Sequence, residues 1–373
     1  MLTLKVAHLT SVHMRYDTRI FLKECMSLSL GGFETHLVVA DGHGDEIKSN
    51  VCIHDIGKPK SRLDRVYSIS KKVLRKAIEL DADVYHLHDP ELILIGLKLI
   101  KKGKKVIFDA HEDFPKQILT KHYIPISIRK IISESAKYAE RILCAKFSGI
   151  VGATPHISNK FSSINHNVVN INNYPKIDEL TVVDSAQKKN GQICYIGGIS
   201  EERGIKEVVK ATELTSNKVT LALAGKFFSE KLEQDVSQIP GWKNIDFIGF
   251  IGRSEIHELL ASTQVGLVTL HPTLSYLDSL PIKLFEYMCA GIPVIASDFP
   301  LWRDIVLKYN CGLCVDPKDS KAIAEAIDYL IDNPDIAKTM GNSGFNAIQT
   351  EFNWFNEEIK LLNFYEKMIG MNK

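Results

Sequence analysis

Short runs rich in β-branched residues alternate along this chain with longer segments of helical spacing, and that alternation restricts the fold more than any other feature. Residues 4–9, 35–39, 84–87, 105–109 and 150–152 read as strands, with helices over 19–30, 66–80 and 92–101. A second series of strands begins at 192–197 and continues at 220–224, 245–248, 265–268, 293–296 and 312–315. Each series predicts a doubly wound parallel sheet, so the expected class is α/β with two Rossmann-like domains. The polar, turn-rich stretch Ile171-Asn172-Asn173-Tyr174-Pro175 marks the expected join, dividing 1–173 from 174–350. Ligands of such sheets bind beyond the C-terminal strand ends, so two facing domains would hold a ligand in the cleft between them.

Composition narrows the class. The chain has 373 residues and a formal net charge of +1, an ordinary globular balance. No apolar run approaches the roughly 20 residues of a spanning helix, and the opening MLTLKVAHLT is too short and too weakly basic for a secretory signal, so a cytoplasmic location is expected. Seven scattered cysteines point to reduced thiols. Cys311 and Cys314 form a C-x-x-C pair, but YNCGLCVDP reads as a turn entering a strand rather than the helix opening of a redox motif. Charge is unevenly divided: residues 1–173 carry 26 Lys and Arg against 18 Asp and Glu, the remainder 20 against 27. The basic residues concentrate in KPKSRLDRVYSISKKVLRK and KKGKK, while KHYIPISIRKIISESAKYAERIL mixes them with apolar residues in an amphipathic surface pattern. A solvated helix face is the default reading of that pattern, and attachment to an anionic membrane surface is the functional one. Nothing resembles an aromatic-interleaved basic stripe or finger motif for nucleic acid.

The segment DSLPIKLFEYMCAGIPVIASD carries the most chemistry. Pro281 suits a helix start and Gly291 a helix end, with an apolar strand following. Free amides at Ile282, Lys283 and Leu284, the positive end of the helix dipole and the Lys283 ammonium would together attract a phosphate. Glu286, one turn further in, lies on the same face and would reach a hydroxyl of the molecule carrying that phosphate. An ordinary amphipathic helix with Glu286 paired to a neighbour is the plainer alternative.

At these residues the chain resembles the retaining glycosyltransferases of family 4, and most closely a bacterial branch that writes the segment P-x-K-L-F-E-Y-M and acts in surface-polysaccharide assembly. The family hallmark is two carboxylates separated by seven residues, matched here by Asp278 and Glu286, with Asp278 standing where the family usually has Glu. The resemblance implies the GT-B fold, a helix in residues 351–373 crossing back onto the first domain, and Glu286 on the donor ribose. The family's G-R-x-x-x-x-K-G loop falls on ICYIGGISEERGIKEVVKA: Gly197 precedes Gly198, which replaces the Arg, and Arg203 replaces the Lys. Arg203 and Lys283 are then the expected side-chain cations for the diphosphate. Gly225 and Phe250, each after a strand, match positions where family members meet the nucleotide, and Phe250 is equally readable as a packing aromatic.

In the first half, YHLHDPE and FDAHEDF place His86, His88, Asp89, Asp109, His111, Glu112 and Asp113 near two strand ends. They can be read as metal ligands, yet a metal-hydrolase signature needs further ligands in an order that the second half lacks. The resemblance instead puts His111 against the donor sugar and gives His88 and Asp89 an acceptor-lining or loop-bracing place. The D-T-R-I-F stretch also follows the family branch. There Asp17 is expected to cap the next helix, and Arg15 to meet a phosphate on the acceptor.

Taken together, the resemblance implies transfer of a sugar, with retention, from a nucleotide-sugar donor (UDP first, GDP next) to a glycan or polyprenyl-diphosphate-linked acceptor. His111, Asp278 and Glu286 are its catalytic candidates. No metal or other cofactor is expected, and a peripheral position on the inner membrane face would suit a lipid-linked acceptor. Two rivals share the donor site. A sugar-nucleotide epimerase would convert the nucleotide sugar alone, and a non-catalytic subunit would bind nucleotide without turnover.

Overall fold

The computed structural model describes residues 3–121, 124–182 and 188–370. It divides into one unit of Met1–Asn173 with Phe355–Lys373 and a second of Tyr174–Trp354.

The first unit is built on an eight-stranded sheet: β1 (Lys5–Leu9), β2 (Glu34–Val39), β3 (Glu46–Lys48), β4 (Val51–Asp55), β5 (Val84–Leu87), β6 (Lys105–Ala110), β7 (Gly149–Gly152) and β8 (Val168–Asn170). Their order is β3-β4-β2-β1-β5-β6-β7-β8, parallel except for the β3–β4 pair. The second sheet orders β11 (Ile245–Gly249), β10 (Thr220–Ala224), β9 (Gln192–Ile196), β12 (Val265–Val268), β13 (Val294–Ser297) and β14 (Gly312–Val315), parallel throughout. Both are doubly wound: β1 lies between β2 and β5, and β9 between β10 and β12, so each sheet has the strand-order reversal beyond which ligands bind.

Burial follows the period of two. Cys194 and Ile196 face one core of the second unit while Ile193 and Tyr195 face the other, and Ala222 and Leu223 divide the same way. Both faces of the sheet are therefore covered by helices, and each fully buried Leu or Phe contributes about 1.5–3 kcal/mol.

The sequence pattern missed several features of the first unit, among them the edge strand β8. β3 and β4 form a hairpin whose turn residues Ser49 and Asn50 both have positive φ, 49° and 59°. Residues 20–25 also form a wide π-helical turn, Ile20–Cys25, before the α-helix Met26–Leu30. The helix Trp354–Ile369 packs onto the first unit: Lys105 Nζ donates to the Met368 carbonyl at 2.6 Å, Asn172 N–H donates to Glu357 at 2.8 Å, and Leu361 and Tyr365 are fully buried. No helix among the described residues is long and apolar enough to cross a membrane.

Candidate functional site

Two strand ends of the second unit meet the helix Ile282–Cys289. Pro281 is the residue before that helix, in extended conformation, rather than its first helical residue. The Leu284 N–H donates to the Pro281 carbonyl at 3.0 Å, so of the three amides expected to receive an anion Leu284 is already engaged; Ile282 and Lys283 hold the first two helical positions. The Lys283 side chain turns into the protein. It is 9% exposed, its Nζ lies 3.5 Å from the centre of the Tyr195 ring, and that nitrogen has no hydrogen-bond partner. Burial first, and then the neighbouring Arg203 guanidinium, hold its pKa well below the usual lysine value.

Arg203 comes to the same place from the loop after β9. Its Nη1 donates to the Gly198 carbonyl at 3.2 Å and its Nε to the Tyr276 hydroxyl at 3.4 Å. A methyl placed on Gly197 would lie 3.6 Å from Lys283 Nζ and 3.7 Å from Arg203 Nη1, so the two cations converge on bare backbone. Gly197 has φ of 125°, and a methyl on Gly225 would fall 1.9 Å from the Gly197 carbonyl, which is why both positions are glycine. The Gly198 departure has a steric counterpart: a Cβ there would lie 2.6 Å from the tip of the exposed Phe228 ring, which would have to move aside.

Glu286 is 8% exposed and accepts from Arg253 Nη1 at 2.6 Å, while Arg253 Nε reaches Glu179 at 2.5 Å. The carboxylate is thus paired, as the plainer reading allowed, and Arg253 is a member of the site that the sequence reading missed. Asp278 stands half-buried in the turn preceding the helix. Phe250 is 85% exposed, which removes the packing alternative and leaves its ring accessible. Burial pushes the Cys311 and Cys314 thiols up to about 12 and about 11, so neither is a nucleophile at neutral pH.

In the first unit, His111 follows β6 and, with His13, is a partly accessible histidine of its group. Its Nε2 lies 2.8 Å from Asp109 Oδ2, with the His88 Nδ1 at 3.3 Å and the His13 ring 5.1 Å away. Of the three residues expected on the acceptor side, His88 and Asp89 take the bracing place that was their other reading, and Arg15 departs from its expectation. His88 is 2% exposed and bonded to His8 at 2.8 Å and Asp109 at 3.2 Å, and burial lowers its pKa to about 4, so it is a neutral interior group. Asp89 accepts from the Ser11 amide at 2.6 Å and the Thr10 hydroxyl at 2.9 Å, which leaves it bracing the first loop. Arg15 makes two 2.8 Å bonds to Asp41, one of 3.0 Å to Glu46 and one of 2.9 Å to the Gly44 carbonyl. With its guanidinium engaged on all sides, it secures its own loop instead of offering charge to a phosphate. Asp17 caps as expected, accepting from the Arg19 and Ile20 amides at 2.9 Å each.

Residues 177–347 match the family described as Glycosyl transferases group 1. An uncharacterized glycosyltransferase of Methanocaldococcus jannaschii is 22% identical over 288 residues, which is 74% of this chain and 71% of that one. A phosphatidyl-myo-inositol mannosyltransferase of Mycobacterium leprae is 22% identical over 320 residues, 82% of this chain and 79% of the relative. Among solved structures, the Anabaena protein HepE in complex with UDP-glucose superposes with a TM-score of 0.76 at 15% identity, covering 98% of this chain and all of that one.

Proposed function

We propose, from the premise that this chain belongs to the GT-B glycosyltransferases, that its second unit binds a nucleotide-sugar donor through the diphosphate and that the sugar is transferred with retention to a glycan or lipid-linked acceptor of surface-polysaccharide assembly. The observation that carries the reading is the convergence of the Lys283 ammonium nitrogen and the Arg203 guanidinium on Gly197, next to a helix start, with Lys283 Nζ lacking a hydrogen-bond partner. A diphosphate gives the buried Lys283 nitrogen the partner it lacks and favours its protonated form. The same charges then stabilise the diphosphate as it leaves the anomeric carbon, where negative charge grows most. We assign Glu286, held in place by Arg253, to the ribose hydroxyls, Phe250 to the base and Asp278 to the donor sugar. In the first unit, His111, its ring set by Asp109, is the catalytic histidine that the family resemblance implies. UDP is the expected nucleotide, GDP the next, and the reaction is expected to run on protein cations without a metal cofactor.

The membrane reading rests on the helix Ile126–Cys144. Ile128, Ile131, Tyr138 and Ile142 form an exposed stripe at helical spacing, with Lys130, Lys137 and Arg141 exposed beside it. Such a face would hold the enzyme on anionic lipid, in reach of a polyprenyl-linked acceptor, on the cytoplasmic side.

Calorimetric titration with UDP, GDP and UDP-glucose tests the donor assignment, using wild type, Lys283→Ala and Glu286→Gln. Saturable binding of one nucleotide, weakened in both variants, is the expected result, and folded protein that binds none of them sinks the reading. Proton NMR of the product formed with a competent acceptor then reads the anomeric configuration. Conversion of the nucleotide sugar without any acceptor would reveal an epimerase instead.

A further inference from the structure

Behind His111, inside the first unit, three imidazoles and one carboxylate close on a single point. His8 comes from β1, His86 from β5, His88 from just beyond it, and Glu24 from the π-helical turn; three are fully buried and His88 is 2% exposed. The sheet register explains the grouping, because His8 pairs directly with His86 on the neighbouring parallel strand and His88, two residues on, returns to the same face. The π turn completes it. Glu24 N–H donates five residues back to the Arg19 carbonyl at 2.9 Å, and this widened turn directs both Lys23 and Glu24 inward.

His8 Nδ1 and His88 Nε2 are 2.8 Å apart, and Glu24 Oε2 lies 3.9 Å from each of His8 Nδ1, His86 Nδ1 and His88 Nε2. All four ligand atoms fall within 4.8 Å of one another. Four ligands bonded at about 2.0–2.2 Å to a tetrahedral zinc stand about 3.3–3.6 Å apart, inside the 2.8–3.9 Å span of those four contacts. At 3.9 Å Glu24 Oε2 is too far from the three imidazoles for hydrogen bonds and has no hydrogen-bond partner, an arrangement that is costly in a dry interior. Arg19, 3.1 Å from Glu24 and 2.8 Å from Asp109, is shared between two carboxylates. The space therefore calls for more positive charge, at a point where three neutral nitrogens and an oxygen converge.

We propose that His8, Glu24, His86 and His88 bind one divalent transition-metal ion, with zinc the expected occupant, as a structural centre of the first unit. The set of three imidazoles and one carboxylate suits zinc. Its complete burial leaves no position open to substrate, so the ion takes no part in group transfer and the inference stands apart from the proposed function. The outer arrangement is also that of a metal-bound histidine: His88 presents its other nitrogen to Asp109 at 3.2 Å, and Asp109 in turn holds His111. The Tyr365 hydroxyl, 2.8 Å from His86 Nδ1, lies close enough to yield that nitrogen to the ion or to join it as a fifth ligand. The strand-end acids and histidines weighed from sequence were therefore incomplete as a metal set, since His8 and Glu24 come from other elements.

The test is elemental analysis of the full chain, with any affinity tag removed, after expression with zinc, manganese or iron supplied. About one ion per chain is expected in wild type, falling below about 0.1 in His8→Gln and Glu24→Gln. Protein expressed with cobalt in place of zinc is expected to show the visible absorption of a tetrahedral cobalt site, a wild-type readout that holds even if the variants fail to fold. Metal-free wild type from every medium, with a melting temperature unmoved by added zinc, overturns the proposal and leaves a proton as the balancing charge. So does stoichiometric metal that both folded variants retain.

Discussion

Lys283 in the second unit and Arg15 in the first were both expected to hold phosphate, and both are nearly buried, yet their surroundings differ completely. Arg15 has four bonds to Asp41, Glu46 and a carbonyl, while Lys283 has an aromatic face, a neighbouring cation and no hydrogen-bond partner. A charge that packing has satisfied contributes to the scaffold. One that is desolvated and left without a hydrogen-bond partner is poised for a ligand, and burial accordingly lowers its pKa. Arg19 belongs with Arg15: fully enclosed and bidentate to Asp109, it neutralises what the interior could not otherwise hold.

That contrast is open to attack, beginning where the effect is largest. Arg19→Met removes the partner of Asp109 and Glu24 and is expected to cost about 3–5 kcal/mol of stability, measured by urea unfolding; a cost under about 1 kcal/mol would mean that the arginine is not structural. Lys283→Ala is expected to weaken UDP-glucose binding by about 1.5–3 kcal/mol while leaving urea stability unchanged or raised, and the opposite pattern would reverse the two roles. The protonation of Lys283 sharpens the point. Its folded pKa is depressed, so the unfolded chain binds the extra proton in the window between that value and about 10.4, and this residue's contribution makes stability rise with pH across it. A bound diphosphate restores the charge, so UDP-glucose binding should take up a proton and weaken as pH rises through the same window. UDP-glucose is a suitable probe below the alkaline range where its uracil N3–H ionises, because its diphosphate does not titrate there, and calorimetry in buffers of different ionisation enthalpy then reads the uptake. The smallest effect belongs to the surface: Ile131→Glu should lower sedimentation with anionic vesicles several-fold while leaving nucleotide affinity alone, and equal sedimentation of both proteins would return that helix to ordinary solvent exposure.

How much of this was legible depended on how local each signal is. Most parallel strands announced themselves as compact β-branched runs, though the edge strands β4 and β8 did not, and β3, written EIK, has too little apolar content to register, with a turn at Ser49 and Asn50 that lacks the glycine that usually marks such hairpins. The π turn left no trace in residue spacing, since it differs from an α-helix only in which carbonyl each amide chooses. At the donor site, Gly197, Arg203 and Lys283 were readable because glycine next to a strand end and lysine at a helix start have local physical reasons to be there. Arg253 was not, because it finds Glu286 from 33 residues away. The same distance problem misled the reading of Arg15, whose partner Asp41 is 26 residues on.

The helix Trp354–Ile369 has a consequence for how the molecule is made. Phe364 and Leu362 lie where side chains on Gly149 and Gly31 would be, and Tyr365 supplies the hydroxyl beside His86, so the first unit closes with residues that leave the ribosome after the whole of the second. During synthesis its sheet must wait, with that seam open, while some 180 later residues emerge and fold. The second unit has no such debt, because all of it lies between Tyr174 and Trp354. Order of synthesis and order of completion are thus reversed: the part that begins the chain is the last to become whole.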